Sequence, residues 1–283
     1  MENFILSGFS DEIDSNILKQ FEALKRLGIH YFEPRGINGK NISVLTDTEV
    51  TELAACMEKY GILASSIGSP IGKIAITDDF EEHLSVVQHT INIAKTLGTK
   101  YIRIFSFFLP QDQPAKKYRS EVLRRMEKMT ALAEKNNIVL LHENEKDIYG
   151  DIAERCLDIF KEIDSPNLRA VFDPANFVQC GQDTKEAFQM LSPYVEYMHI
   201  KDALPNGDVV PAGAGAGNVE WLLTQLLSAN YRGFLSLEPH LGSFDGLAAL
   251  ETTDKMEKLE HSSEEKFILA HNALLKILKK INK

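Results

Sequence analysis

Apolar residues in this chain fall alternately into short continuous runs and into longer stretches where they recur every three or four positions. These are the patterns of buried strands and of amphipathic helices. Phe4 to Gly8 reads as a first strand. Ser10-Asp11-Glu12 then opens a helix whose apolar positions Ile13, Ile17, Leu18, Phe21, Leu24 and Leu27 share one face, and Gly28 ends it. The unit recurs with the same punctuation: strand Ile29 to Glu33, helix Thr46 to Lys59 closed by Gly61, strand Ile62 to Ile67, helix Asp78 to Leu97 closed by Gly98, strand Tyr101 to Phe105. Helix Ala115 to Asn136, strand Ile138 to Glu143, helix Tyr149 to Ile163 and strand Leu168 to Phe172 follow. The short helix Thr184 to Leu191, the strand reaching His199, helix Val219 to Ala229 with Asn218 as its N-cap, the strand reaching Glu238 and an amphipathic helix Glu264 to Ile281 complete the series.

About eight strands alternating with eight helices is the rhythm of an α/β fold, a single (β/α)₈ TIM barrel spanning residues 1–283. An open doubly wound sheet is the alternative, but no GxGxxG follows the first strand. Four strands share a further feature: the apolar run stops at a metal-competent residue, Glu143, Asp173, His199 or Glu238. Their separations of 30, 26 and 39 residues each leave room for one crossover helix. All four should therefore stand at one rim, the carboxyl edge of the sheet, where parallel α/β folds bind ligands.

Composition narrows the partners. At 283 residues and 44% apolar content the chain can bury one large core, and no compositional break divides it. A formal net charge of −10 opposes nucleic-acid and anionic-membrane surfaces, which require a concentrated basic face. A small soluble ligand is the expected partner. No basic segment precedes a long apolar run at the N-terminus and no run reaches the ~20 residues of a bilayer span, so a cytoplasmic protein is expected. Cys56, Cys156 and Cys180 are odd in number and far apart, and read as reduced core or pocket residues.

Three carboxylates and one imidazole make a hard, oxygen-rich donor set. It suits Mn²⁺, Mg²⁺, Co²⁺ or Zn²⁺ over a metal that prefers thiolates, and Mn²⁺ is the ion expected. Several short phrases around these residues resemble the xylose isomerase-like TIM barrel superfamily, and within it the sugar phosphate isomerase/epimerase group with its tagatose-type epimerases and inosose dehydratases. They are His142-Glu143-Asn144, Phe172-Asp173-Pro174-Ala175-Asn176, His199-Ile200-Lys201-Asp202, Pro211-Ala212-Gly213 and Leu237-Glu238-Pro239-His240. Tyr31-Phe32-Glu33-Pro34-Arg35 and Gly68-Ser69-Pro70-Ile71-Gly72-Lys73 extend the likeness to nearly the whole chain.

The resemblance implies that Glu143, Asp173, His199 and Glu238 hold one divalent metal ion, and that Glu143 and Glu238 are the paired catalytic acid and base. The implied activity is isomerisation or epimerisation of a sugar, sugar phosphate or related keto-polyol through an enediolate. A dehydratase or lyase of the inosose or dehydroshikimate type is the close alternative. An apurinic endonuclease-like nuclease is disfavoured by Ser69 and Ser106 at the third and fourth strand ends and by the acidic balance. The complete ligand set argues against a non-catalytic sugar-binding relative. Homo-oligomers are usual for the group.

Substrate contacts are expected from Asn176, which stands where tagatose-type epimerases have a histidine, and from Lys201, His240, Arg35, Lys73 and Arg103 as grips for a phosphate or carboxylate. The glycine-rich stretch Pro211 to Gly217 lacks the acidic residue common in that group and reads equally as a flexible connection or an active-site lid. His142 should point away from Glu143's side of its strand. Phe9, Phe107 and Phe108 are candidates for an apolar wall, and His83, His89, His261 and His271 read as surface residues of helices.

Overall fold

The structure, a computed structural model, describes residues 4–241 and 262–282. His261 lies outside the described residues. Six strands form one curled parallel sheet: β1 (Ile5–Gly8), β4 (Tyr101–Ile104), β5 (Val139–Glu143), β6 (Leu168–Phe172), β7 (Val195–Ile200) and β8 (Phe234–Leu237), in the order β1-β8-β7-β6-β5-β4. Two further strands, β2 (Tyr31–Phe32) and β3 (Leu63–Ala64), pair in parallel only with each other, and two short antiparallel pairs, Gly36–Ile37 with Lys40–Asn41 and Asp202–Ala203 with Val209–Val210, lie outside the sheet. Isolated hydrogen bonds join the pair β2 and β3 to the sheet edges. Glu33 N–H donates to Gly8 O at 2.9 Å, Ile67 N–H to Tyr101 O at 2.9 Å and Arg103 N–H to Ile67 O at 2.9 Å.

A continuous eight-stranded ladder, expected from the rhythm of the chain, is therefore not formed among the described residues. The runs Ile29 to Glu33 and Ile62 to Ile67 shrink to two paired residues each. The reason is local: Pro34 has no N–H to give a ladder, and Ser65-Ser66-Ile67-Gly68-Ser69-Pro70 is a run of small and turn-forming residues with little strand preference.

Helices α1 (Ile17–Leu27), α2 (Asp47–Tyr60), α3 (Phe80–Thr96), α4 (Arg119–Lys135), α5 (Ala153–Ile163), α6 (Pro174–Gln179), α7 (Thr184–Leu191), α8 (Val219–Ser228) and α9 (Ser263–Ile281) make the connections. Their ends follow capping chemistry. Thr46 and Glu49 form a capping box on α2, and Gly28 and Gly61 close α1 and α2 in the left-handed region at φ 70° and 66°. The first helix is shorter than expected. Ser10–Glu12 makes only a 3₁₀ turn, and Asn16 caps α1 by accepting from Leu18 N–H and Lys19 N–H, which leaves Leu18 exposed. Asn218 does not cap α8: it sits at φ 54° and donates to Thr184 Oγ1 and Ala216 O. No helix among the described residues is long and apolar enough to cross a membrane.

Alternation along each strand sends one residue in two toward the helices and the next into the interior of the curled sheet. The outer faces build the main core, with Phe21, Phe32, Ile102, Leu140, Phe172 and Leu222 all buried. The interior holds a smaller apolar plug, Leu141, Val171 and Tyr197, flanked by Tyr101, Val139 and Phe234. Above the plug the inward positions turn polar, and there the candidate site begins.

Candidate metal centre

Glu143, Asp173, His199 and Glu238 emerge where β5, β6, β7 and β8 end, and each offers a donor atom within 4.8 Å of all the others. None is more than 2% exposed. The two-residue period of a strand sorts their neighbours: Tyr197, His199 and Lys201 share one side of β7 and its continuation, and Ser236, Glu238 and His240 share one side of β8. His142 faces the other way, as expected, with Nε2 2.9 Å from Ser106 Oγ; burial pushes it down to about 4.

Amide side chains orient the acids. Asp173 caps α6 by accepting Asn176 N–H on Oδ1 at 3.0 Å, which turns Oδ2 toward the cluster. Asn144 clamps the Asp173 backbone from both sides, donating to its carbonyl at 2.9 Å and accepting its N–H at 3.0 Å. Asn176 Nδ2 donates to Glu143 Oε1 at 3.2 Å. The helix α6 and the Asn144 clamp were not anticipated from sequence, although Asp-Pro ahead of an apolar turn is an N-cap signal.

Three cations enter the same space. Arg103 Nη1 donates to Glu143 Oε2 at 3.2 Å and Glu238 Oε1 at 3.5 Å, and Arg35 Nη1 donates to Glu238 Oε1 at 3.1 Å. Lys201 Nζ donates to Glu238 Oε2 at 3.2 Å and approaches Asp173 Oδ2 at 3.1 Å without hydrogen-bond alignment. The Phe9 ring lies under both guanidinium groups, 4.3 Å from Arg35 and 4.9 Å from Arg103, and meets His199 edge-on at 5.2 Å. His240 Nε2 stands 3.4 Å from Glu238 Oε1 and 3.5 Å from Glu12 Oε1. Lys73 is not brought into this cluster: it pairs with Glu145 at 3.1 Å over the Phe105 ring. Phe107 is a core residue against Phe80 and His83, not a wall of the site. His83 and His271, read as surface residues, are buried, and His83 Nε2 accepts the Gly72 N–H.

These contacts set the charge states. Burial is the largest influence on Glu143 and works upward, yet His199 and Arg103 hold its carboxyl below the usual range. Glu238 is likewise held well below it, with Lys201 and His240 outweighing burial. Asp173 moves the other way: burial raises it, and Glu143 and Glu238 add to the rise against the pull of Lys201. His199 resists burial through Glu143 and Glu33 and is raised to about 10.

Comparison with known proteins follows the same line. The family model described as xylose isomerase-like TIM barrel matches residues 21–260. The chain belongs to this family. Among its relatives, the 3-dehydroshikimate dehydratase of Bacillus anthracis is 23% identical over 197 residues, covering 70% of this chain and 67% of that protein. L-ribulose 3-epimerase has a similar solved structure, with TM-score 0.78, 15% identity and coverage of 100% of this chain and 96% of that one. So has the IOLI protein with a zinc atom, with TM-score 0.76, 17% identity and coverage of 98% and 99%.

In this xylose isomerase-like chain the donor set fits a divalent cation. Three carboxylates and one imidazole converge, and Asp173 Oδ2 is buried without a hydrogen-bond donor among the described residues. Sequence reasoning missed Asp11, Glu12 and Glu33. Arg35 donates to Asp11 at 2.8 and 3.1 Å and to Glu12 at 3.2 Å, which anchors it from below, and Glu33 Oε2 lies 3.3 Å from His199 Nε2. Glu33 carries the same signal as the quartet, an acid directly after an apolar strand. The glycine-rich stretch is a tied loop. Asp202 accepts the N–H groups of Gly213 and Gly215 on Oδ2 at 2.9 and 3.0 Å, and that of Gly217 on Oδ1 at 2.8 Å.

Proposed function

We propose that this chain is a divalent-metal-dependent isomerase or epimerase acting on a sugar, sugar phosphate or related keto-polyol. The observation that carries the reading is the pair of buried carboxylates Glu143 and Glu238, brought from β5 and β8 to either side of one cluster with Asp173 and His199. A divalent ion held by these four residues would supply Lewis-acid stabilisation of the charge that develops on a substrate oxygen when the adjacent C–H ionises.

Glu143, kept ionised by His199 and Arg103, is suited to take that proton, and Glu238 to serve the opposite face. Removal by one and return by the other inverts the carbon; return to the neighbouring carbon isomerises the sugar. Asn176 can hold a hydroxyl but carries no proton near neutral pH. Arg35, Arg103 and Lys201 can grip an anionic group, with the Phe9 ring packed against both guanidinium groups.

A dehydratase reading begins with the same proton removal and ends in loss of a β-hydroxyl as water. It is supported by the relative named 3-dehydroshikimate dehydratase and by three buried cations that suit a substrate carboxylate. Incubating Mn²⁺-loaded protein in D₂O with ketoses, inososes, their phosphates and 3-dehydroshikimate separates the two. Deuterium beside the carbonyl with the substrate's mass otherwise kept marks an isomerase or epimerase, and loss of one water marks a dehydratase. Neither product from any compound, in protein shown to hold metal, overturns both.

A further inference from the structure

We propose that Glu33 is a positioning residue that fixes the imidazole of His199, so that Nδ1 is presented to the cluster and Nε2 keeps the proton. Metal affinity would then depend on a side chain that is not itself a ligand. The inference rests on the metal-site reading above and deepens it.

The two ring nitrogens of His199 face different surroundings. Nδ1 lies 3.0 Å from Glu143 Oε1 and 3.5 Å from Glu238 Oε2, on the side of the cluster. Nε2 lies 3.3 Å from Glu33 Oε2, on the side of the interior plug. Both side chains are fully buried, so water does not compete for either nitrogen.

Glu33 Oε2 is an acceptor for two other groups: Ser236 Oγ donates to it at 2.7 Å and Tyr197 O–H at 3.0 Å. Tyr197 is steadied in turn by Ser65 Oγ at 2.8 Å, which meets Ser7 Oγ at 2.6 Å. An oxygen surrounded by donors from β7 and β8 can take a third hydrogen bond from His199 only if Nε2 carries the hydrogen. Both ring nitrogens face carboxylates in the metal-free site, but Nδ1 faces the proposed ligand Glu143, so its hydrogen is the one a bound cation would displace while Nε2 keeps its own. The edge-on Phe9 ring closes one side of the imidazole against rotation. Partners of this kind tune ligand orientation and basicity, and losing one typically weakens metal binding about 10–100-fold.

The test titrates metal-free protein with Mn²⁺, read by the EPR signal of the free ion, for wild type and for Glu33→Gln, Ser236→Ala and Tyr197→Phe. Glu33→Gln is expected to raise Kd about 10–100-fold, while the other two, which each remove a different hydrogen bond of the same buried network, stay close to wild type. ¹⁵N-histidine spectra of the Zn²⁺-loaded protein, with His199 assigned by its loss in His199→Gln, should show Nδ1 coordinated and Nε2 protonated. Should Glu33→Gln not fold, Glu33→Asp, which withdraws the carboxyl group by one methylene, carries the same expectation.

Unchanged Mn²⁺ affinity in a folded Glu33 variant overturns the inference. So does equal weakening in all three variants, which would mark a purely structural network, or coordination through Nε2. Wild type that takes up no Mn²⁺ overturns the site reading as well, whereas one-to-one uptake with an indifferent Glu33 overturns this inference alone.

Discussion

At the scale of single residues, the decisive groups are acids whose surroundings pull them apart. Glu143→Gln and Glu238→Gln keep the shape of the side chain but remove the base and turn one acceptor into a donor, so each should lower deuterium exchange by about 10²–10⁴-fold with the fold retained. Wild-type exchange in both variants would refute the paired roles. Glu12 gives a test of charge: burial, chiefly, pushes it up to about 8 against the pull of Arg35. A raised acid favours the folded state below its unfolded value near 4.5, and that advantage is lost as pH climbs through about 8. Metal-free wild type should thus lose more thermal stability between pH 5 and pH 9 than Glu12→Gln, measured by Tm across the series. The quartet was legible because four apolar-rich strands in succession each stop at a metal-competent residue. Glu33 ends a run of the same kind but lies outside that succession, and Ser10-Asp11-Glu12 imitates the opening of a helix.

At the scale of elements, helices read more clearly than strands because their ends are written in side chains. The Thr46 and Glu49 capping box stands where Thr46 was expected to open a helix, and Thr46→Ala should cost about 1 kcal/mol by denaturant unfolding. Strand limits depend on partners far along the chain, which no local pattern encodes, and α6 was hidden inside a phrase read for its chemistry. The loop after β7 was ambiguous for a similar reason: its glycines could mean freedom or close packing. A Cβ at Gly215 would meet Ala203 O and Asp202 Oδ1 at 2.4 Å, so close packing is the answer. Gly215→Ala should therefore destabilise by roughly 1–3 kcal/mol and expose the loop to limited proteolysis. An unchanged cleavage pattern and Tm would show that the loop yields without cost.

At the scale of the whole molecule, fold and site are coupled through charge. Carboxylates gathered in a dry interior repel one another, and Arg35, Arg103 and Lys201 offset part of that repulsion. A cation that binds only the folded form should add to this, so Mn²⁺ at ~100 times its Kd should stabilise by about 2.7 kcal/mol, reversed by chelation. A Tm indifferent to Mn²⁺ would argue against the site. The rhythm of the sequence implied the family's architecture but overstated its regularity, since the pair β2 and β3 is tied to the sheet by isolated bonds. One of the contacts already described sets a timetable. Arg35 leans on Glu238 from 203 positions earlier in the chain. A ribosome therefore releases that arginine, with Asp11 and Glu12 already made, long before Glu238 exists, and a nascent chain stopped short of β8 should be unable to assemble the cluster however well its first half has folded.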